Sequence, residues 1–147
     1  MKKFLVLSLL ALSAVAPIAA RAHGDACPKP FQATGNIAMP LNYSGVVAQF
    51  PVPAGYRLQV EQVSARMRLS LNTDRAYFQL ATTTGGVFAY HELEVAQGYS
   101  TIDWKTFGPV TLYADKGTDV RVYFTRTGTT YPATTGFWTV SGCLFAA

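Results

Sequence analysis

Chemistry needs donors, acceptors or charges held together, and this chain has few. It contains two histidines, His23 and His91. A peptidase cut after Ala22 would make His23 a free N-terminus, four residues before Cys27. An N-terminal amine, the imidazole of the same residue and a second imidazole form a T-shaped nitrogen site suited to Cu(II). A copper site of His23 with His91 is therefore one reading. The leading expectation is blander: His23 starts a tether, and His91 is a strand residue. His91 shares parity with Val87, Ala89, Leu93 and Val95, an apolar set that points it to the core or its rim.

The carboxylates suggest less. Glu92 and Glu94 sit two apart on one expected strand face, roughly 7 Å from each other by strand geometry. Glycosidic cleavage uses two carboxylates that face each other across a cleft, so an exposed sheet face is expected instead. Asp115 and Asp119 flank the turn "ADKGTD", but Ca²⁺ takes six to eight oxygen ligands. No Gly-x-Ser-x-Gly elbow is present to make a serine hydrolase. Asn42-Tyr43-Ser44 matches a glycosylation acceptor. No catalytic residue is assigned, and no enzymatic activity is expected.

Aromatic side chains are more plentiful. Tyr99, Tyr123 and Tyr131 alternate with polar residues or fall in a loop, so they are candidates for an exposed sugar-stacking platform. Trp138 has the parity of Val140 and Leu144, and Trp104 that of Ile102. Both are expected in the core.

What must position these residues is legible from the pattern. Lys2 and Lys3 precede an apolar run from Phe4 to Ala16, Pro17 ends it, and Ala20-Arg21-Ala22 offers small residues for cleavage. The run is shorter than the roughly 20 residues a membrane span needs. Residues 1–22 are therefore expected to be a signal peptide and residues 23–147 one exported domain, periplasmic or extracellular, that does not span the membrane.

Lys2, Lys3 and Arg21 would leave with the signal. Nine of the twelve Lys and Arg then face eight Asp and Glu. A net charge near neutral, without Lys/Arg runs, argues against a nucleic-acid partner. Arg66 and Arg68, two apart, read as a solvated strand face. Cys27 and Cys143 allow one intramolecular disulfide, and export into an oxidising compartment favours it. No Cys-x-x-Cys motif suggests zinc or redox work.

Beyond the signal, segments alternate in the period of a half-buried strand. In "GYRLQVEQVSARMRLSL", Leu58 and Val60 have one parity, and Val63, Ala65, Met67 and Leu69 the other. The change at Glu61-Gln62 predicts a β-bulge. "AYFQLAT", "VFAYHELEV", "YSTIDWKTF", "VTLYA", "DVRVYFTR" and "FWTVSGCLF" read as further strands. "PVPAG", "LNTD", "AQG", "FGP" and "ADKGTD" read as turns. The segment from His23 to about Asn42 reads as less regular than the rest, its first part extended and unpaired, and Thr125–Thr135 as the longest loop. Eight or nine short strands in one domain predict an all-β antiparallel sandwich, jelly-roll-like, with a closed barrel as runner-up.

The runs "VPAGYRLQVEQVSARM", "GPVTLYADKGTDVRVYFTR" and "FWTVSGCLF" resemble a group of small bacterial exported β-sandwich proteins of uncharacterised function, over residues 46 to 145. The shared motifs are turns and strand ends. The resemblance implies export and a sandwich, and it transfers no site residue. The expected function is a non-catalytic binding or structural module contacting a glycan, a cell-envelope component or itself. The alternatives are the copper protein and a carbohydrate-binding module.

Overall fold

The structure, a computed structural model, describes residues 27–71, 74–127 and 132–147. The signal segment, His23 and Tyr131 lie outside the described residues. Nine strands occur among those described: β1 (Pro30–Met39), β2 (Gly45–Pro51), β3 (Tyr56–Arg68), β4 (Ala76–Thr84), β5 (Val87–Glu92), β6 (Ala96–Gln97), β7 (Asp103–Ala114), β8 (Asp119–Arg126) and β9 (Thr134–Ala146). No helix among these residues is long and apolar enough to cross a membrane.

Every pairing is antiparallel. β1 pairs with β9, β2 with β8, β3 with β7 and β4 with β5. The chain is thus one long hairpin, first strand against last, rolled up so that β9 also meets β3 and β8 also meets β4. That rolling gives two sheets, β1-β9-β3-β7-β6 and β2-β8-β4-β5, in the strand order of a jelly roll. The sandwich is open and not a closed barrel, because each sheet ends on two strands with an unpaired side.

The core lies between the sheets and is filled by the inward parity of each strand. Leu58, Val60, Val63 and Met67 of β3 meet Phe78 and Leu80 of β4 and Val120, Val122 and Phe124 of β8 in one buried cluster. Phe78 and Phe124 pack edge to face at 5.4 Å. Each such side chain contributes about 1.5–3 kcal/mol on burial. Trp138 is buried as expected and stacks on Phe50 at 5.5 Å. Trp104 is only half-buried at the core's edge.

The bulge falls where the parity changes. Val60 pairs with Leu112 and Gly142, and Gln62 with Pro109 and Ser141; Glu61 is the extra residue against β9, whereas on the β7 side it stands opposite two residues, Val110 and Thr111. Three readings are corrected. The segment after Lys29 is not irregular, for β1 is ten residues long and paired throughout. Its apolar alternation (Phe31, Ala33, Ile37, Met39) is interrupted at Gly35, where the Trp138 ring takes the space: a Cβ there would lie 3.1 Å from that ring. "FGP" is not a turn. Gly108 and Pro109 lie inside β7 and keep register with Val63 and Gln62. Proline is tolerated because β6 reaches only as far as Lys105, so no neighbour needs the missing N–H. "AQG" likewise is not simply a turn, since Ala96 and Gln97 form β6 against β7.

Cys27 and Cys143 are bonded, with Cα atoms 5.4 Å apart and 116 residues between them in sequence. Near the other end of β1, the buried Arg126 guanidinium donates to the carbonyls of Tyr43 (3.0 Å), Pro132 (2.5 Å) and Pro40 (3.4 Å).

Candidate ligand-binding face

The structure scatters the titratable candidates. His91 lies on β5 opposite Leu80, half-buried, with Nε2 3.5 Å from Thr82 Oγ1. Its copper partner, His23, lies outside the described residues. Among those described, no three His, Cys, Asp or Glu side chains gather as a metal site. Glu92 accepts from Gln79 Nε2 at 2.5 Å, and Glu94 is exposed beyond the end of β5. Asp115 accepts from the Gly85 N–H at 2.6 Å and pairs with Arg57 at 3.1 Å, while its carbonyl accepts from the Thr118 hydroxyl. Asp115 is therefore a strand-end clamp, and Asp119 begins β8.

The aromatic residues are distributed over two outer faces. On the four-stranded sheet, Phe88, Tyr90, Arg121 and Tyr123 close over Ala81, which is fully covered although it points away from the core. Phe88 meets Tyr90 edge to face at 5.0 Å, Tyr90 meets Tyr123 at 5.3 Å, and Arg121 lies over Phe88 at 5.3 Å. A hydrogen bond with Tyr123 raises the Tyr90 phenol above its ordinary value. Burial pushes the Tyr123 phenol up, but hydrogen bonds with Tyr90 and Arg121 outweigh it and leave that group low. Tyr90 remains 56% exposed and Phe88 40%, while Tyr123 is half-buried.

The outer face of the five-stranded sheet is built differently. Alternation on β3 turns Gln62, Ser64 and Arg66 outward, and beyond the bulge Arg57 and Gln59. On β7 the outward set includes Lys105, Phe107 and Tyr113. On β9 it includes Phe137, Thr139 and Ser141, and on β1 it includes Gln32, Thr34 and Asn36. Across the middle, Phe107, Ser64, Thr139 and Thr34 are in register; one step along the face, Lys105, Arg66, Phe137 and Asn36 are. Small hydroxyl side chains thus form a floor between standing rings. Phe107 is 73% exposed and Phe137 55%.

Three depressions lie on this face and a fourth at its end. One of ≈ 280 Å³ is lined by Gln32, Gln62, Ser64, Thr139 and Ser141 against Phe107. One of ≈ 290 Å³ lies between Phe107 and Phe137. One of ≈ 360 Å³ lies on the far side of Phe107, toward Glu94 and Ala96. Past the bulge, a larger cleft of ≈ 830 Å³ is lined by Arg57, Gln59, Tyr113 and Asp115 and reaches Thr84 and Gly85 of the four-stranded sheet. From Arg57 to Arg66 along β3 the face runs roughly 30 Å.

Two of its arginines, Arg57 and Arg66, are paired with carboxylates. The Arg66 guanidinium donates to both oxygens of Asp103, at 2.8 and 3.0 Å. That bidentate bond holds the buried Asp103 carboxyl below its ordinary value. Arg57 pairs with Asp115 and lies over the Tyr113 ring at 5.2 Å. Between the rings, the hydroxyls of Thr34, Ser64 and Thr139 share the depression with Lys105 and with Arg66, which is paired to Asp103. Thr34 Oγ1 is fixed by donating to the Trp138 carbonyl at 2.9 Å.

Of the expected platform residues, Tyr99 is fully exposed at the margin of this face, with Lys105 Nζ 6.0 Å from its ring. Tyr123 belongs to the opposite sheet. Phe107, Phe137, Tyr113 and the three glutamines were not singled out from sequence. Their signal was parity: Phe137 alternates with Trp138, and Phe107 shares the parity of Lys105 against that of Trp104.

No family model matches the chain, and no curated protein does. Solved structures similar to it include that of infectious bursal disease virus Gt strain, with 13% identity and TM-score 0.49, covering 93% of this chain and 36% of that one. The infectious bursal disease virus VP2 subviral particle gives 13% identity and TM-score 0.47, covering 93% and 37%. Dimeric latent PorU from Porphyromonas gingivalis gives 9% identity and TM-score 0.44, covering 85% and 14%. The chain spans little more than a third of the two viral proteins, and these likenesses assign it no ligand.

Proposed function

We propose that this protein is an exported, non-catalytic module that binds a glycan chain on the outer face of its five-stranded sheet. One observation carries the reading. Phe107 and Phe137 stand exposed on either side of a hydroxyl floor of Ser64, Thr139 and Thr34, with Gln32 and Gln62 alongside and Arg66 and Lys105 at one side of the depression. Aromatic faces take the apolar faces of sugar rings, and neutral amides and hydroxyls exchange hydrogen bonds with sugar hydroxyls. The length of the face suits a chain of several sugars more than a single one. Asp103 and Asp115, the carboxylates bound into the face, are each held by an arginine, which leaves neither poised as a general acid or base. The Cys27–Cys143 bond and the signal-like N-terminal segment support export.

The test is affinity electrophoresis of the secreted product of the full-length chain through gels holding different soluble polysaccharides. Retardation by at least one polysaccharide is expected, and Phe107→Ala should weaken it about tenfold. Migration unchanged in every gel would contradict the reading.

A further inference from the structure

The two margins of the sandwich are unlike. At one, the outermost strands are β5 and β6. β5 ends in His91 and Glu92, Glu94 follows, β6 has only two residues, and Pro109 interrupts the open edge of β7 beyond it. Short strands, charges and proline are the devices that keep sheet edges from pairing with other chains. At the other margin the outermost strands are β1 and β2. Between Lys29 and Arg57 the sequence has no charged residue at all. β1 is ten residues long, begins with its only proline, and has no bulge against β9. Both its ends are fixed, by the disulfide of Cys27 and by Arg126 on the Pro40 carbonyl. It is a long, regular, pre-ordered edge without charge or bulge to protect it.

We propose that β1 pairs antiparallel with β1 of a second copy about a two-fold axis, joining two five-stranded sheets into one of ten. The strand's own pattern favours itself as partner. In a register centred on Gly35, Thr34 faces Asn36 and Gln32 faces Ala38 on the outer side, while Ala33 faces Ile37 and Phe31 faces Met39 on the inner side. Polar thus meets polar or small, and apolar meets apolar. A strand without charge also meets its copy without repulsion, whereas β5, with His91 and Glu92, would set like groups together. A two-fold pairing closes on itself and stops at the dimer. Gln32, Thr34 and Asn36 belong to the proposed glycan face, so two such faces would become continuous, but the pairing itself does not depend on that reading.

Sedimentation velocity of the secreted protein over a wide concentration range should show a reversible monomer–dimer equilibrium. Asn36 is exposed, and Asn36→Lys sets two lysines near the axis. This variant should stay monomeric with an unchanged melting temperature, and mixing it with Asn36→Glu should restore a dimer of one copy of each. Gln49→Lys, on β2, should leave the dimer intact. A protein monomeric at every concentration overturns the proposal. So does a dimer that survives Asn36→Lys or is lost instead in Gln49→Lys.

Discussion

At the scale of single residues, the informative side chains are rings and arginines. Asp103 is buried, and its carboxyl is held low, chiefly by the hydrogen bond from Arg66. A carboxyl lowered on folding stabilises the fold above its unfolded value and loses that contribution as pH falls through the folded one. Asp103→Asn should therefore melt at a lower temperature than the parent at neutral pH. Thermal melts across pH should show the gap closing only below 3.8, the ordinary value, where the parent's carboxyl is itself protonated. A gap that closes at higher pH, or never, would remove the Arg66 bond as its cause. Little of this pairing was legible beforehand. Arg66 and Arg68 read as a solvated face because their partner comes from β7, in register only once the sheet has formed. Of the two histidines, His91 shares the inward parity of β5 and meets Thr82, while His23 lies outside the described residues.

At the scale of elements, alternation carried most of the reading and failed where one strand passes through residues that usually end strands. The bulge at Glu61 was visible because a two-residue period cannot change parity without an inserted residue. β7 was split in the sequence because Gly108-Pro109 looks like a turn, and only the free edge beside it explains why a strand continues. β1 was missed because its alternation lacks a side chain at Gly35, a gap filled by Trp138 from β9. The bulge also makes a local demand on β9. Gly142 faces Val60, and a Cβ there would run into the carbonyl of Gln59. Gly142→Ala should cost about 1–3 kcal/mol by urea denaturation, the range for forcing atoms into a packed site. A change within a few tenths would mean that β9 can shift past the bulge.

At the scale of the whole molecule, rolling one long hairpin brings its first and last strands together, and the Cys27–Cys143 bond fixes that juncture. By loop entropy, closing 116 residues stabilises the fold by on the order of 4–5 kcal/mol as an upper figure. The double variant Cys27→Ser with Cys143→Ser should therefore unfold at markedly lower urea with its circular dichroism otherwise preserved. An unchanged midpoint would show the ends to be held without the bond. The fold class, the disulfide and the inward core were open to reading because periodicity and cysteine count are local properties. The binding face was not, since it is assembled from β1, β9, β3 and β7, whose order in the sheet bears no relation to their order in the chain. The measurement closest to the central claim is isothermal titration with a polysaccharide that retards the protein. It would compare the parent with Phe107→Ala/Phe137→Ala on one sheet and Phe88→Ala/Tyr90→Ala on the other. Binding lost in the first variant and kept in the second is the predicted result. Binding kept in the first and lost in the second would move the site to the four-stranded sheet and contradict the account.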